Sequence, residues 1–254
     1  MTPRLRAGIL TLALTLVALG GAQGASTTFD FVTFDGIDYI RWLEEPGRAL
    51  TRDDLGSEFA TVECSLGEDV RGCPYGRDAG AAFLPAGTRM YAVRGYATSF
   101  RLAAVWRDRV FLYQVWRNPR ARHGGDLYDI VGKVRAIDVR RGEATPGAGC
   151  ETSITAARDL EALVAMMARG AVRPPQAHPV AEPRYWITFW LADGTTLGRP
   201  YFAETRELMG GLALPPEFND ALDRCPGGTT MTSRAPLDYS AVVPPSMTSS
   251  LPVT

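Results

Sequence analysis

Between residues 28 and 42 nearly every position is aromatic, β-branched or otherwise apolar, and the run is broken once. Thr28-Phe29-Asp30-Phe31-Val32-Thr33-Phe34 meets Ile37-Asp38-Tyr39-Ile40-Arg41-Trp42 across Asp35-Gly36. A two-residue Asp-Gly between strand-like runs predicts a β-hairpin. The same signature recurs at Asp193-Gly194, between Arg184–Leu191 and Thr195-Thr196-Leu197. A third hairpin is expected over 99–116, where Phe100–Trp106 turns near Arg107-Asp108 into Val110–Trp116. Further strands are expected at 58–64, 88–95 and 130–140. In 185–191, Tyr185, Ile187, Phe189 and Leu191 share one face and Trp186, Thr188 and Trp190 the other. Two bulky faces mean a strand buried on both sides, or one side used for binding.

Helical periodicity is rarer. Leu160, Leu163, Val164 and Met167 fall at i, i+3, i+4 and i+7 within 156–169, with Thr155 as the expected cap and Arg169-Gly170 at the close. A shorter helix is expected after Pro215-Pro216, with Pro216 at its first position and Phe218, Ala221 and Leu222 inward. Residues 173–183 hold four prolines and read as loop or edge. The last 29 residues, 226–254, are rich in Pro, Ser and Thr and are expected to be a disordered tail.

The expected fold is therefore α+β. A β-rich N-terminal region of antiparallel hairpins (25–125) precedes a smaller β-α-β-β-α region (126–225). The split lies in the Arg/His/Gly-rich connector Pro119–Gly125.

At the N-terminus Arg4 and Arg6 precede an uncharged run from Ala7 to Leu19, and Ala22-Gln23-Gly24 follows. Residues 1–24 read as a cleaved secretory signal, because about 20 Å of helix is short of a roughly 30 Å hydrocarbon core. No cysteine follows the apolar run, so a lipobox is missing. The mature chain is expected to be secreted or periplasmic, with no transmembrane segment. Behind such a signal four cysteines read as two disulfides, with three possible pairings. The nine-residue spacing of Cys64 and Cys73 around a Gly-rich segment suits a loop-closing bridge. Elimination then leaves Cys150–Cys225. No C-x₂-C or comparable Cys/His spacing offers a metal site, and none is expected.

Overall charge is −1, with 27 basic and 28 acidic residues, so a nucleic-acid-binding field is not expected. The distribution is uneven. Residues 26–70 carry eleven acids and three arginines, and 101–141 carry ten bases and four acids. Each block can steer an oppositely charged partner, or the two can neutralise each other in the fold. Motifs for hydrolases, P-loops and dinucleotide folds are missing, and no cofactor is expected. His123 beside Asp126 is the one candidate general base; an extracytoplasmic hydrolase using it or paired carboxylates is the alternative reading. Arg107, Arg109, Arg120 and Arg122 are the candidate ligand-binding arginines, since a planar fork suits carboxylate and phosphate. Trp116, Trp186 and Trp190 are candidates for an aromatic platform.

The segment Leu84-Pro85-Ala86-Gly87-Thr88-Arg89-Met90-Tyr91-Ala92-Val93-Arg94-Gly95-Tyr96, followed by Phe100-Arg101-Leu102-Ala103, resembles a group of uncharacterised bacterial cell-envelope proteins. These share a P-x-G-T-x-x-Y-x-V-x-G-Y…R-L-A pattern and often carry a lipobox. The resemblance, over about half the chain, implies an envelope location and assigns no activity. The expected function is thus a secreted, non-enzymatic protein that binds an anionic envelope component or another envelope protein.

Overall fold

The computed structural model describes residues 30–42, 46–69, 71–141, 151–176 and 184–222. The expected signal, the Cys150–Cys225 bridge and the tail lie outside those residues. The described chain is β-rich α+β, built on two sheets.

The first hairpin pairs β1 (Asp30–Phe34) with β2 (Ile37–Arg41). Asp35 and Gly36 both have positive φ, 52° and 69°, the geometry that matches a tight turn to strand twist. Next come β3 (Leu55–Thr61), β4 (Cys64–Ser65), β5 (Gly80–Ala81) and β6 (Arg89–Val93). The third expected hairpin is β7 (Arg101–Trp106) with β8 (Arg109–Arg117), turning at Arg107 and Asp108. These eight strands form one sheet in the order β3-β6-β7-β8-β2-β1-β5-β4.

After the short helix α1 (Gly124–Leu127), the second sheet takes β9 (Val134–Arg141) and β10 (Glu151–Ile154). Helix α2 (Ala157–Arg169) and β11 (Ala171–Val172) follow, then β12 (Arg184–Leu191) and β13 (Thr196–Phe202). The short pair β14 (Glu207–Leu208) and β15 (Leu212–Ala213) leads to α3 (Pro216–Leu222). The order in this sheet is β10-β9-β12-β13-β14-β15-β11.

The stripe Leu160, Leu163, Val164 and Met167 is buried as the periodicity requires, and Pro216 opens α3 with Phe218 and Leu222 inward. Two local expectations need correction. Ala156 rather than Thr155 is the N-cap of α2 and makes no side-chain cap bond, so packing of the stripe, not capping, holds this end. The Asp193-Gly194 turn is longer than two residues: Leu191 N–H donates to Thr195 O at 3.0 Å, and Gly194 takes the positive φ of 82°. Asp193 uses its carboxylate to accept from the Thr195 N–H and hydroxyl, at 2.9 and 2.7 Å. That closes a three-residue loop.

The sheets share one apolar cluster, running from Val32 and Tyr113 through Ile137 and Ile187 to Leu222. Two arginines, both fully buried, stitch the sheets together. From β7, Arg101 donates to Thr195 Oγ1 and Thr196 O, each at 2.7 Å, while Gln114 of β8 donates to the same Thr196 carbonyl at 2.6 Å. In return Arg199 of β13 donates to Val115 O of β8 at 2.8 Å. Main-chain carbonyls of each sheet are thus met by an arginine of the other, as buried polar groups demand. The Cys64–Cys73 disulfide is present, as the spacing suggested. Two residues past the bridge, Tyr75 meets Phe31 edge-on, with ring centroids 4.8 Å apart.

Candidate functional site

Strand alternation and the β7–β8 register put Trp106, Arg109, Phe111 and Tyr113 on one face of the first sheet. The β1–β2 register adds Asp30 and Arg41 to that face. The rings of Trp106 and Phe111 lie 6.3 Å apart, both half-buried. Three guanidiniums stack on them. Arg107 lies 4.3 Å from the Trp106 centroid, and Arg109 and Arg41 lie 5.4 and 4.5 Å from that of Phe111. Arg107 and Arg109 are exposed. Stacking fixes the plane of an arginine while leaving its N–H edge for a carboxylate or phosphate.

Arg107 does not reach this place by strand alternation. Its φ of +48° puts it in the turn, and from there its guanidinium lies over Trp106. Beside them Arg52 pairs with Asp108 at 3.2 Å, an exposed contact. Arg41 was not singled out from the sequence. The cross-strand pairing Asp30↔Arg41 implied by the Asp35-Gly36 turn was the signal that could have found it.

Arg120 and Arg122 are exposed but lie beyond the other end of β8. Nine residues of strand separate them from the turn by about 27 Å, at ~3.4 Å per residue. The four candidate arginines therefore form two places, not one. Part of the basic block is also neutralised by the acidic one: Arg117 Nε donates to buried Asp38 at 2.8 Å, a carboxylate that also accepts from Thr33 at 2.9 Å.

The candidate tryptophans are drawn into packing. Trp116 of the first sheet meets Trp42 edge-on at 6.2 Å, and Trp186 of the second sheet meets the same Trp42 at 5.4 Å. Gly198 makes room here, since a Cβ on it would stand 3.1 Å from the Trp186 indole. Trp190 donates its indole N–H to Asp138 at 2.5 Å.

His123 sits exposed at the N-cap of α1, its Nδ1 3.9 Å from Asp126. Asp126 is spent on structure, accepting from the Arg122 and His123 N–H groups at 2.8 and 2.9 Å, bonds that hold its carboxyl below the usual range. A shallow cavity of about 490 Å³ opens between β10, α2 and α3, with Asp159, Glu217 and Asp220 in its lining. Among the described residues no group of three or more His, Cys, Asp or Glu could hold a metal ion. No described helix is long and apolar enough to cross a membrane. No family model, no curated protein and no solved structure matches the chain.

Proposed function

We propose that the protein is a secreted or periplasmic, non-enzymatic module of the bacterial cell envelope that binds an anionic envelope component through the β7–β8 turn. One observation carries this reading: two exposed guanidiniums, Arg107 and Arg109, set 4.3 and 5.4 Å from the centroids of the neighbouring Trp106 and Phe111 rings. The signal-like N-terminus, the Cys64–Cys73 bridge and the likeness to envelope proteins agree with the location. The ligand class follows from the donors, since several forked cations on a rigid strand end suit clustered phosphates or carboxylates.

The test is retention on phosphatidylglycerol vesicles against phosphatidylcholine vesicles. Arg107→Ser with Arg109→Ser lowers retention on the anionic vesicles about ten-fold and leaves the melting curve in place. Arg120→Ser with Arg122→Ser, at the far end of β8, changes retention little. Binding weakens with salt, because exposed charges beyond about 8 Å are screened at physiological ionic strength. Equal loss from both pairs would mean a diffuse charge effect and would refute a site at the turn.

A further inference from the structure

We propose that Arg41 is a third cation of this anion site and that buried Asp30 holds it in check, so that the site gains positive charge and binds phosphate-bearing surfaces more tightly on acidification. The inference rests on the reading of the β7–β8 turn given above.

Arg41 has two neighbours, a ring and a carboxylate. Its guanidinium covers the Phe111 ring at 4.5 Å, the ring that Arg109 also approaches. Its Nη1 lies 3.5 Å from Asp30 Oδ2, with side-chain exposures of 15% for Arg41 and 10% for Asp30. At neutral pH the carboxylate cancels the arginine within the patch. Protonated, it no longer does, and Arg41 adds its charge to those of Arg107 and Arg109 without any movement of the backbone.

Asp30 is built to take up a proton early. Burial pushes its carboxyl above the usual value, and Arg41 and the Tyr113 hydroxyl only partly offset that. Among the described residues the groups facing it are Arg41 from β2 and Tyr113 from β8, whose hydroxyl donates to both carboxylate oxygens at 3.0 Å. On its other side β5 pairs with Val32 and Thr33 and brings no charge to Asp30. Burial and the Asp30 carboxylate hold the Tyr113 phenol well above its ordinary value, so it keeps its proton throughout. The sign is fixed: Asp30 neutralises as pH falls, the net charge of the patch rises by one, and anion affinity rises with it.

The experiment compares retention of the full mature chain on phosphatidylglycerol vesicles at about pH 7 and about pH 4, with melting curves for every variant. Wild type is expected to gain about three- to ten-fold on acidification, the effect of one added charge roughly 8 Å from the ligand. Asp30→Asn keeps an acceptor for Tyr113 and is expected to bind more tightly than wild type at about pH 7 and to gain less than wild type on acidification. Arg41→Gln removes one positive charge from the patch and is expected to bind more weakly than wild type at about pH 4, a second readout should Asp30→Asn melt early. A wild type without pH dependence, or an Asp30→Asn protein that gains as much as wild type on acidification, overturns the role of Asp30 and leaves the turn as a site. Undiminished binding by Arg107→Ser with Arg109→Ser removes the site itself, and this inference with it.

Discussion

At the scale of the residue, the chain spends its arginines in two ways that composition cannot separate. Arg101 belongs to the same basic block as Arg107 and Arg109, yet it is fully buried. Its guanidinium lies 4.6 and 4.8 Å from the Tyr96 and Phe100 centroids and forks onto Thr195 and Thr196 of the second sheet. Two charge-assisted bonds, each worth about 1.5–3 kcal/mol, depend on that fork. Arg101→Met is expected to cost about 3–5 kcal/mol in urea unfolding, and Arg101→Lys to recover only part, since an ammonium lacks the planar fork that bridges both acceptors. A variant as stable as wild type would refute the stitching role. None of this was legible in the sequence. Arg101 and Arg109 look alike there because burial depends on a partner strand some ninety residues away.

At the scale of the element, what could be read followed local chemistry. The Asp35-Gly36 and Arg107-Asp108 hairpins form as their runs and turns imply, and α2 follows its apolar stripe. The two-residue strands β4, β5, β11, β14 and β15 have no periodicity to read and exist only because a neighbour pairs with them. The candidate site shows the same division. The turn carrying Arg107 and Arg109 was visible, whereas Arg41 required the register of a different hairpin.

The segment 46–54 is another element held from outside. The Arg48 N–H donates to Gly194 O at 3.0 Å, and its guanidinium grips Asp54 through two bonds of 2.7 Å. The Arg48 fork, with the Thr51 N–H and hydroxyl, holds the Asp54 carboxyl far below the usual range despite some desolvation. A depressed carboxylate stabilises the fold above its unfolded pKa, about 3.9, and that contribution fades as pH falls toward the folded value. Arg48→Ala should therefore melt a few degrees below wild type at about pH 7. The gap should narrow below about pH 4. The half-exposed arginine keeps the effect modest, and a gap that is constant with pH would show that Asp54 is not its source.

At the scale of the whole molecule, the two sheets share their apolar cluster and exchange arginines, so each end of the chain's second half bears on the stability of both. The second expected disulfide belongs here. Cys150 lies one residue before β10, and Cys225 three residues after α3. Thr152 of β10 and Ala221 of α3 line the same cavity. Joined, these two cysteines would close a loop of some seventy-five residues, worth about 4.5 kcal/mol in the chain-entropy model before strain. Non-reducing peptide mapping of the mature protein is expected to yield a linked Cys150–Cys225 peptide beside Cys64–Cys73, with no thiol open to alkylation. Cys225→Ser should then lower the melting temperature by more than Cys64→Ser with Cys73→Ser, whose shorter loop is worth about 2.5–3 kcal/mol. Alkylation of Cys150 and Cys225 in the native protein would instead leave the second sheet held by packing and the two buried arginines alone.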